Sequence, residues 1–256
     1  MRGSWTGSGR PVVLLHGQPG GAGDWQPVLP YLSGLRILAP DRPGYDGTPA
    51  GGFSHNAQEL AAALSRAGVD RAVLVGHSWG GGVALQLAVE QPHRVAGICL
   101  IGSVGSPLAV NRVDRALALP VMRRFASAVV CCAAALAPAT AGRMSGSNLT
   151  PAMSTQLREV SRRRLKPATW RSFAVEQKAL IADTAALSES LTQVIAPCLV
   201  LNGTRDRSVC PEAAAHLAHH LPNSSLSLIP GGHLLPWEAP AAVAGNIRDI
   251  VAIAAW

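Results

Sequence analysis

The stretch Val73-Leu-Val-Gly-His-Ser-Trp-Gly-Gly-Gly82 runs from apolar, β-branched residues straight into a serine crowded by glycines. An apolar run of that length reads as a strand buried on both faces, and the residues from Trp79 onward read as a helix. A turn tight enough to join the two crowds the backbone on either side, and glycines at 76 and 80 leave it room. Gly76-His-Ser-Trp-Gly80 therefore matches G-x-S-x-G in its strand-to-helix context, which presents the Ser78 hydroxyl at a helix N-terminus, where the backbone dipole favours negative charge. The plainer reading is a serine that merely caps the helix.

Working outward, five further apolar runs, 11–15, 35–39, 95–101, 198–201 and 225–229, also read as buried strands. Helical composition over 56–67, 79–90, 211–220 and 239–255 supplies the crossovers that parallel strands require. The expected fold is α/β, a doubly wound and mostly parallel sheet. One connection is too long for a crossover. Residues 106–196 are rich in Ala, Leu and Arg and are punctuated by Pro107, Pro120, Pro138, Gly142, Gly146, Pro151 and Pro167, which predicts several short helices inserted above the sheet. The division is then a core of 1–105 with 197–256 and a helical lid of 106–196.

Composition narrows the function. With 256 residues, 48% of them hydrophobic, the chain can bury a large core as one globular unit. The N-terminal residues carry no apolar leader, and the longest apolar run, 126–137, is too short to span a bilayer, so the expectation is a cytoplasmic protein without stable membrane insertion. Cys99, Cys131, Cys132, Cys198 and Cys210 form no metal-binding pattern and read as buried or inert thiols. The net charge is +7, and all of the excess lies in residues 107–192, where ten Arg and two Lys face five acids. That segment has no nucleic-acid-binding signature, and the run Arg162-Arg-Arg-Leu-Lys166 has no aromatics for base stacking. A solvated helical face, or a collar that attracts anionic substrates, fits better than nucleic acid.

A neutral serine hydroxyl is a poor nucleophile and needs a base, itself oriented by a third group. Ligands of such sheets bind at the carboxyl ends of the strands, so the loops there are the places to look. Pro230-Gly-Gly-His233 follows the last strand, and Asn202-Gly-Thr-Arg-Asp206 follows the one before it. His233 is the expected base and Asp206 the expected acid, giving the chain order Ser, Asp, His of this architecture. The other seven histidines lie in or beside helices or early turns. Asp41 comes too early to hold the histidine and reads as part of a structural loop. Backbone N–H groups of Trp79 and of Gln18, in the loop His16-Gly-Gln-Pro-Gly20, are the expected donors to a developing oxyanion. Trp25, Trp79, Trp170, Leu234 and Trp237 are candidate pocket walls, with core packing the alternative for each tryptophan.

These motifs resemble the α/β-hydrolase superfamily, in particular its lidded branch of serine esterases, lactonases, carbon–carbon bond hydrolases, haloalkane dehalogenases and epoxide hydrolases. His16-Gly17, Asp41-Arg-Pro-Gly44, Gly76-His-Ser-Trp-Gly80, Gly203-Thr-Arg-Asp206 and Gly232-His233 fall in family order over nearly the whole chain. Two departures stand out: the usual first hairpin is missing or reduced to Ser4-Trp-Thr-Gly7, and the lid matches only in position and helical character. Within the family, the dehalogenases and epoxide hydrolases place an aspartate where this chain has Ser78. The resemblance thus implies an acyl substrate, a small or medium apolar carboxylic ester, with no cofactor or metal. A lactone, thioester or carbon–carbon bond hydrolase or a tailoring enzyme on the same residues stays open, as does a non-catalytic binding protein. Neither the natural substrate nor the oligomeric state can be read from the residues.

Overall fold

The computed structural model describes residues 1–256, except for the side chains of residues 121–124 and 163, so that Arg163 of the basic run lies outside the described side chains. Seven strands form one sheet: β1 (Trp5–Thr6), β2 (Pro11–Leu15), β3 (Arg36–Leu38), β4 (Ala72–His77), β5 (Val95–Ile101), β6 (Cys198–Gly203) and β7 (Ser224–Ile229). Ten α-helices accompany them, α1 (Phe53–Arg66), α2 (Trp79–Glu90), α3 (Arg112–Ala118), α4 (Pro120–Leu136), α5 (Pro138–Met144), α6 (Pro151–Val160), α7 (Pro167–Glu189), α8 (Pro211–His220), α9 (Leu235–Glu238) and α10 (Pro240–Ile253). The strand order is β1-β3-β2-β4-β5-β6-β7, parallel throughout except for the antiparallel β1–β3 pair.

Alternation along the central strands divides the core in two. Val13, Leu15 and Leu74 point to one face, where Phe53 and Leu60 of α1, Val83 of α2 and Leu217 of α8 cover them. Val12, Leu14, Val73 and Val75 point to the other, against Trp25, Val28 and the α10 residues Val243, Ile247 and Ile250. Strands covered on both sides have no need of a polar face, which is why their sequences are continuously apolar. β7 is the exception: Leu226 and Leu228 are exposed, because this strand closes one edge of the sheet and is covered less fully than a central strand. At the opposite edge β1, within the Ser4–Gly7 stretch, is only two residues long.

The connection from β5 to β6 is helical as expected, and two of its helices, α4 with 17 residues and α7 with 23, exceed the short helices expected. Each proline in it begins a helix instead of interrupting one. Pro120, Pro138, Pro151 and Pro167 are the first residues of α4, α5, α6 and α7, and Pro107 opens a short 3-10 turn. At that position the missing N–H would have had no intrahelical partner and the fixed φ suits the helix. With no further proline after 167, α7 runs for 23 residues. α1 begins at Phe53, three residues before its composition suggests, because the Asp183 carboxylate on α7 accepts the Phe53 N–H at 2.7 Å.

All five cysteines are free thiols, and burial pushes Cys99, Cys131 and Cys198 up to about 12. Among the described residues no single helix is long and apolar enough to cross a membrane.

Candidate active site

Ser78 stands alone between the last residue of β4 and the first of α2, at φ 51° and ψ −119°. Among the described residues it is the one non-glycine with positive φ, a conformation that costs on the order of 1–3 kcal/mol and persists only where surroundings enforce it. The enforcement is visible. The Ser78 N–H donates to the Ile101 carbonyl at 2.9 Å, and the Ser78 carbonyl accepts from Gly81 at 3.0 Å and Val104 at 3.2 Å. A methyl group on Gly80 would lie 2.3 Å from the Leu15 carbonyl oxygen, and one on Gly76 would lie 2.4 Å from the Gly81 Cα. Only glycine lets the two chain segments approach this closely, as the sequence pattern predicts.

The ends of β6 and β7 bring two more side chains to the serine. His233 Nε2 is 3.0 Å from Ser78 Oγ, and His233 Nδ1 is 2.8 Å from Asp206 Oδ2. A carboxylate can only accept, so Nδ1 carries the proton and Nε2 presents a lone pair to the hydroxyl. Asp206 is itself fixed, its Oδ1 accepting the N–H groups of Ser208 at 2.8 Å and Val209 at 2.9 Å. Burial alone would lower the His233 pKa, but the charge and hydrogen bond of Asp206 outweigh it and hold the imidazole above its ordinary value. The arrangement can move a proton from Ser78 Oγ to His233 Nε2 while Asp206 balances the resulting charge.

His77, inside the turn, plays a part that its position in the sequence does not disclose. Burial and the neighbouring His233 pull its pKa down to about 3, so it is neutral, and its Nε2–H donates to the His233 carbonyl at 2.9 Å. The inserted segment grips the His233 loop, and the Asp206 loop beside it, from the other side. Ser145 O accepts the His233 and Arg207 N–H groups, both at 3.2 Å, and Ser147 Oγ accepts that of Leu234 at 2.8 Å. These contacts reach across 88, 62 and 87 positions, and local sequence gives no sign of them.

The loop 16–20 lies against the serine, with a methyl group on Gly17 falling 3.1 Å from Ser78 Cβ. Trp79 N sits in the first turn of α2, where backbone N–H groups have no partner within the helix. What secures the loop is Arg42, from the segment 41–44. Its Nε donates to the His16 carbonyl and its Nη2 to the Gly17 carbonyl, each at 2.9 Å, and its guanidinium lies 4.4 Å from the centre of the Trp79 ring. His16, neutral because burial and Arg42 lower its pKa far below the usual range, donates through Nδ1 to Gly17 O and accepts the Arg42 N–H at Nε2.

Arg42 in turn is held by Glu176 of α7, a fully buried ion pair to which Tyr45 donates a hydroxyl at 2.7 Å. The next residue, Gln177, accepts from the Gln18 side chain at 2.9 Å while its own amide donates to Asp114 Oδ1 at 3.0 Å. Two adjacent residues of one inserted helix therefore brace the loop that faces the serine, Glu176 through Arg42 and Gln177 through Gln18.

A cavity of about 230 Å³ opens onto Ser78 and His233. Its apolar walls include Val130, Ala134, Pro138 and Leu157 from the inserted helices together with Leu234 and Trp237. Gln18, Asp24 and Arg164 also line it, Arg164 donating to both oxygens of Asp24 at 2.7 and 2.9 Å. Three tryptophan expectations are corrected. Trp25 is packed in the core beneath the sheet and lies outside the cavity wall. Trp79 turns its ring away, edge-on to Phe53, and Trp170 spends its Nε1–H on the Arg164 carbonyl at 2.7 Å. Each ring satisfied its large apolar surface where space was available, and composition cannot say where that is.

Sheet order, serine turn and the two following loops define an α/β hydrolase, and the chain belongs to that fold family, whose model matches residues 10–240. A pimeloyl-[acyl-carrier protein] methyl ester esterase of Aromatoleum aromaticum is 45% identical over 108 residues, 42% of this chain and 42% of that protein. A 2-hydroxy-6-oxo-2,4-heptadienoate hydrolase of Pseudomonas putida is 41% identical over 109 residues, 39% of this chain and 40% of that protein. The chain thus spans about two fifths of the length of these curated relatives. Over nearly its whole length, 98% of this chain and 92% of the other, it superimposes on a thermophilic esterase of Thermogutta terrifontis with a TM-score of 0.75 and 25% identity.

Proposed function

We propose that the protein is a serine hydrolase that cleaves a carboxylic ester of a small or medium apolar substrate through an acyl-enzyme. The observation that carries this reading is the hydrogen-bonded line Ser78–His233–Asp206, with the hydroxyl at the floor of a largely apolar cavity. Ser78 Oγ attacks the ester carbonyl as its proton passes to His233 Nε2, and the N–H groups of Gln18 and Trp79 receive the oxyanion. Collapse of the tetrahedral species expels the alcohol, which takes the proton from His233. Water, deprotonated by His233, then attacks the acyl-enzyme, and Ser78 Oγ recovers its proton as the acid leaves. Asp206 stays ionised and fixes the imidazole throughout. The helices of 106–196 act as the lid that walls the acyl group from solvent.

The similarity to a 2-hydroxy-6-oxo-2,4-heptadienoate hydrolase supports a second reading, carbon–carbon cleavage by the same residues. Turnover of p-nitrophenyl esters of increasing acyl length and of a 2-hydroxy-6-oxo-dienoate, by the wild-type protein and by Ser78→Ala, separates the two. The expected result is ester turnover that Ser78→Ala lowers by roughly 10⁴-fold or more. Dienoate cleavage without ester turnover would move the assignment to the second reading. A folded wild-type protein that turned over neither would remove both.

A further inference from the structure

α4 is apolar on two opposite sides. Val130 and Ala134 face the cavity. Half a helical turn away, Phe125, Val129, Cys132 and Leu136 follow one another at i, i+4, i+7 and i+11, which places them in a single stripe on the outer side. Phe125 is 81% exposed, Val129 67% and Leu136 59%. The neighbouring helices extend the patch in sequence, with Val113 and Leu119 exposed before α4 and Met144 exposed after it. A surface helix ordinarily turns polar residues outward, and a run of exposed apolar side chains marks a place where something else binds.

Charge identifies what binds. The whole +7 of the chain lies in the segment that carries this stripe, and Arg112 and Arg115 of α3, Arg143 of α5 and Arg158 of α6 are all exposed. Two copies meeting stripe to stripe would bring two such cationic segments together, at an electrostatic cost. An anionic lipid surface instead offers hydrocarbon to the stripe and phosphate to the arginines. The stripe is about 17 Å long, well short of the ~30 Å hydrocarbon core of a bilayer, so it suits a helix lying in the interface and not one crossing it.

We propose that the outer face of α4 docks the protein peripherally on anionic lipid, with Phe125 and Val129 entering the interface and the flanking arginines at the headgroups. Docked in this way, α4 has lipid on one side and the cavity on the other.

The test is co-sedimentation of the whole protein with phosphatidylcholine vesicles with and without phosphatidylglycerol, at low and high salt. The decisive variant, Phe125→Ser with Val129→Ser, leaves the net charge unchanged and alters only exposed side chains. The wild type is expected to bind the anionic vesicles alone and to be released by salt. The double variant is expected to bind roughly tenfold more weakly or worse, and Ile253→Ser, an exposed apolar position on α10, to bind like the wild type. Equal binding by the double variant would reduce the effect to adsorption of a basic protein and overturn the proposal. Absence of binding to anionic vesicles would overturn it as well. A concentration-dependent dimer that the double variant abolishes would assign the stripe to a second copy in place of lipid. None of these readouts requires turnover.

Discussion

The sheet and the inserted helices hold the same site by different means. At the strand ends position is enforced by close backbone approach: Gly76 and Gly80 permit it, and Ser78 is left in a conformation it would not adopt alone. The inserted helices act through polar contacts of individual side chains, Glu176 on Arg42 and Gln177 on Gln18, and only the turn after α5 repeats the close backbone approach, with a methyl group on Gly232 falling 2.2 Å from the Gly146 carbonyl carbon. Steric placement tolerates almost no substitution at the crowded atom. Hydrogen-bonded bracing tolerates change in most of the segment but concentrates its effect in a few residues.

Loss of the buried ion pair should strain that contrast most. Glu176→Leu leaves the Arg42 guanidinium charged and unpaired, an expected loss of about 3–5 kcal/mol of stability measured by urea unfolding. If the inserted helices only cover the cavity, ester turnover by the folded fraction should change in KM alone. If they brace the loop 16–20, to which the proposed mechanism gives an oxyanion donor, kcat should fall with KM little altered. On the sheet side, Gly80→Ala sets a methyl group against the Leu15 and His16 carbonyls and should cost about 2–3 kcal/mol, with turnover lost in parallel; an unchanged melting temperature would show that the turn is less crowded than its geometry implies.

A third measurement compares the strand-end loops with each other. In the proposed mechanism His233 must be neutral to accept the serine proton, and Asp206 holds its pKa above the ordinary imidazole value of 6.5. Activity should therefore be lost on acidification at a higher pH than an unassisted histidine would give. Asp206→Asn removes the charge, so the acid limb of kcat/KM for the residual activity should move to lower pH; an unmoved limb would assign the titration to another group. The smallest expected effect is that of Ser147→Ala, which removes the acceptor of one backbone N–H beside His233 and should cost about 1–2 kcal/mol with turnover reduced only slightly.

The same contrast explains what could be read from the residues. Strands buried on both faces, the glycines around Ser78 and the loops holding Asp206 and His233 are local patterns, and local patterns survive in a sequence. β7 hints at its edge position through Ser224, Ser225 and Ser227, but Leu226 and Leu228 themselves look as buried in sequence as Leu199 and Leu201, and only the sheet order exposes them. Glu176 and Gln177 carry no signal either, because a glutamate and a glutamine on a long helix ordinarily face solvent, and nothing nearby says that Arg42 and Gln18 lie beneath them. The tryptophans misled for a related reason: an indole is equally suited to a cavity wall and to a core.

The prolines that open the inserted helices bear on how this segment can change over evolutionary time. Each fixes where its helix starts by local geometry, and the residues before four of them, Ser106, Leu119, Thr150 and Lys166, are extended. A residue gained or lost within one helix therefore leaves the start of the next at its proline, and the length of each roof helix can change separately. The anchoring points include the turn 145–147, Arg164 on Asp24, the pair Glu176–Gln177 and Asp183 on Phe53, so variation in the roof is channelled into the stretches between them.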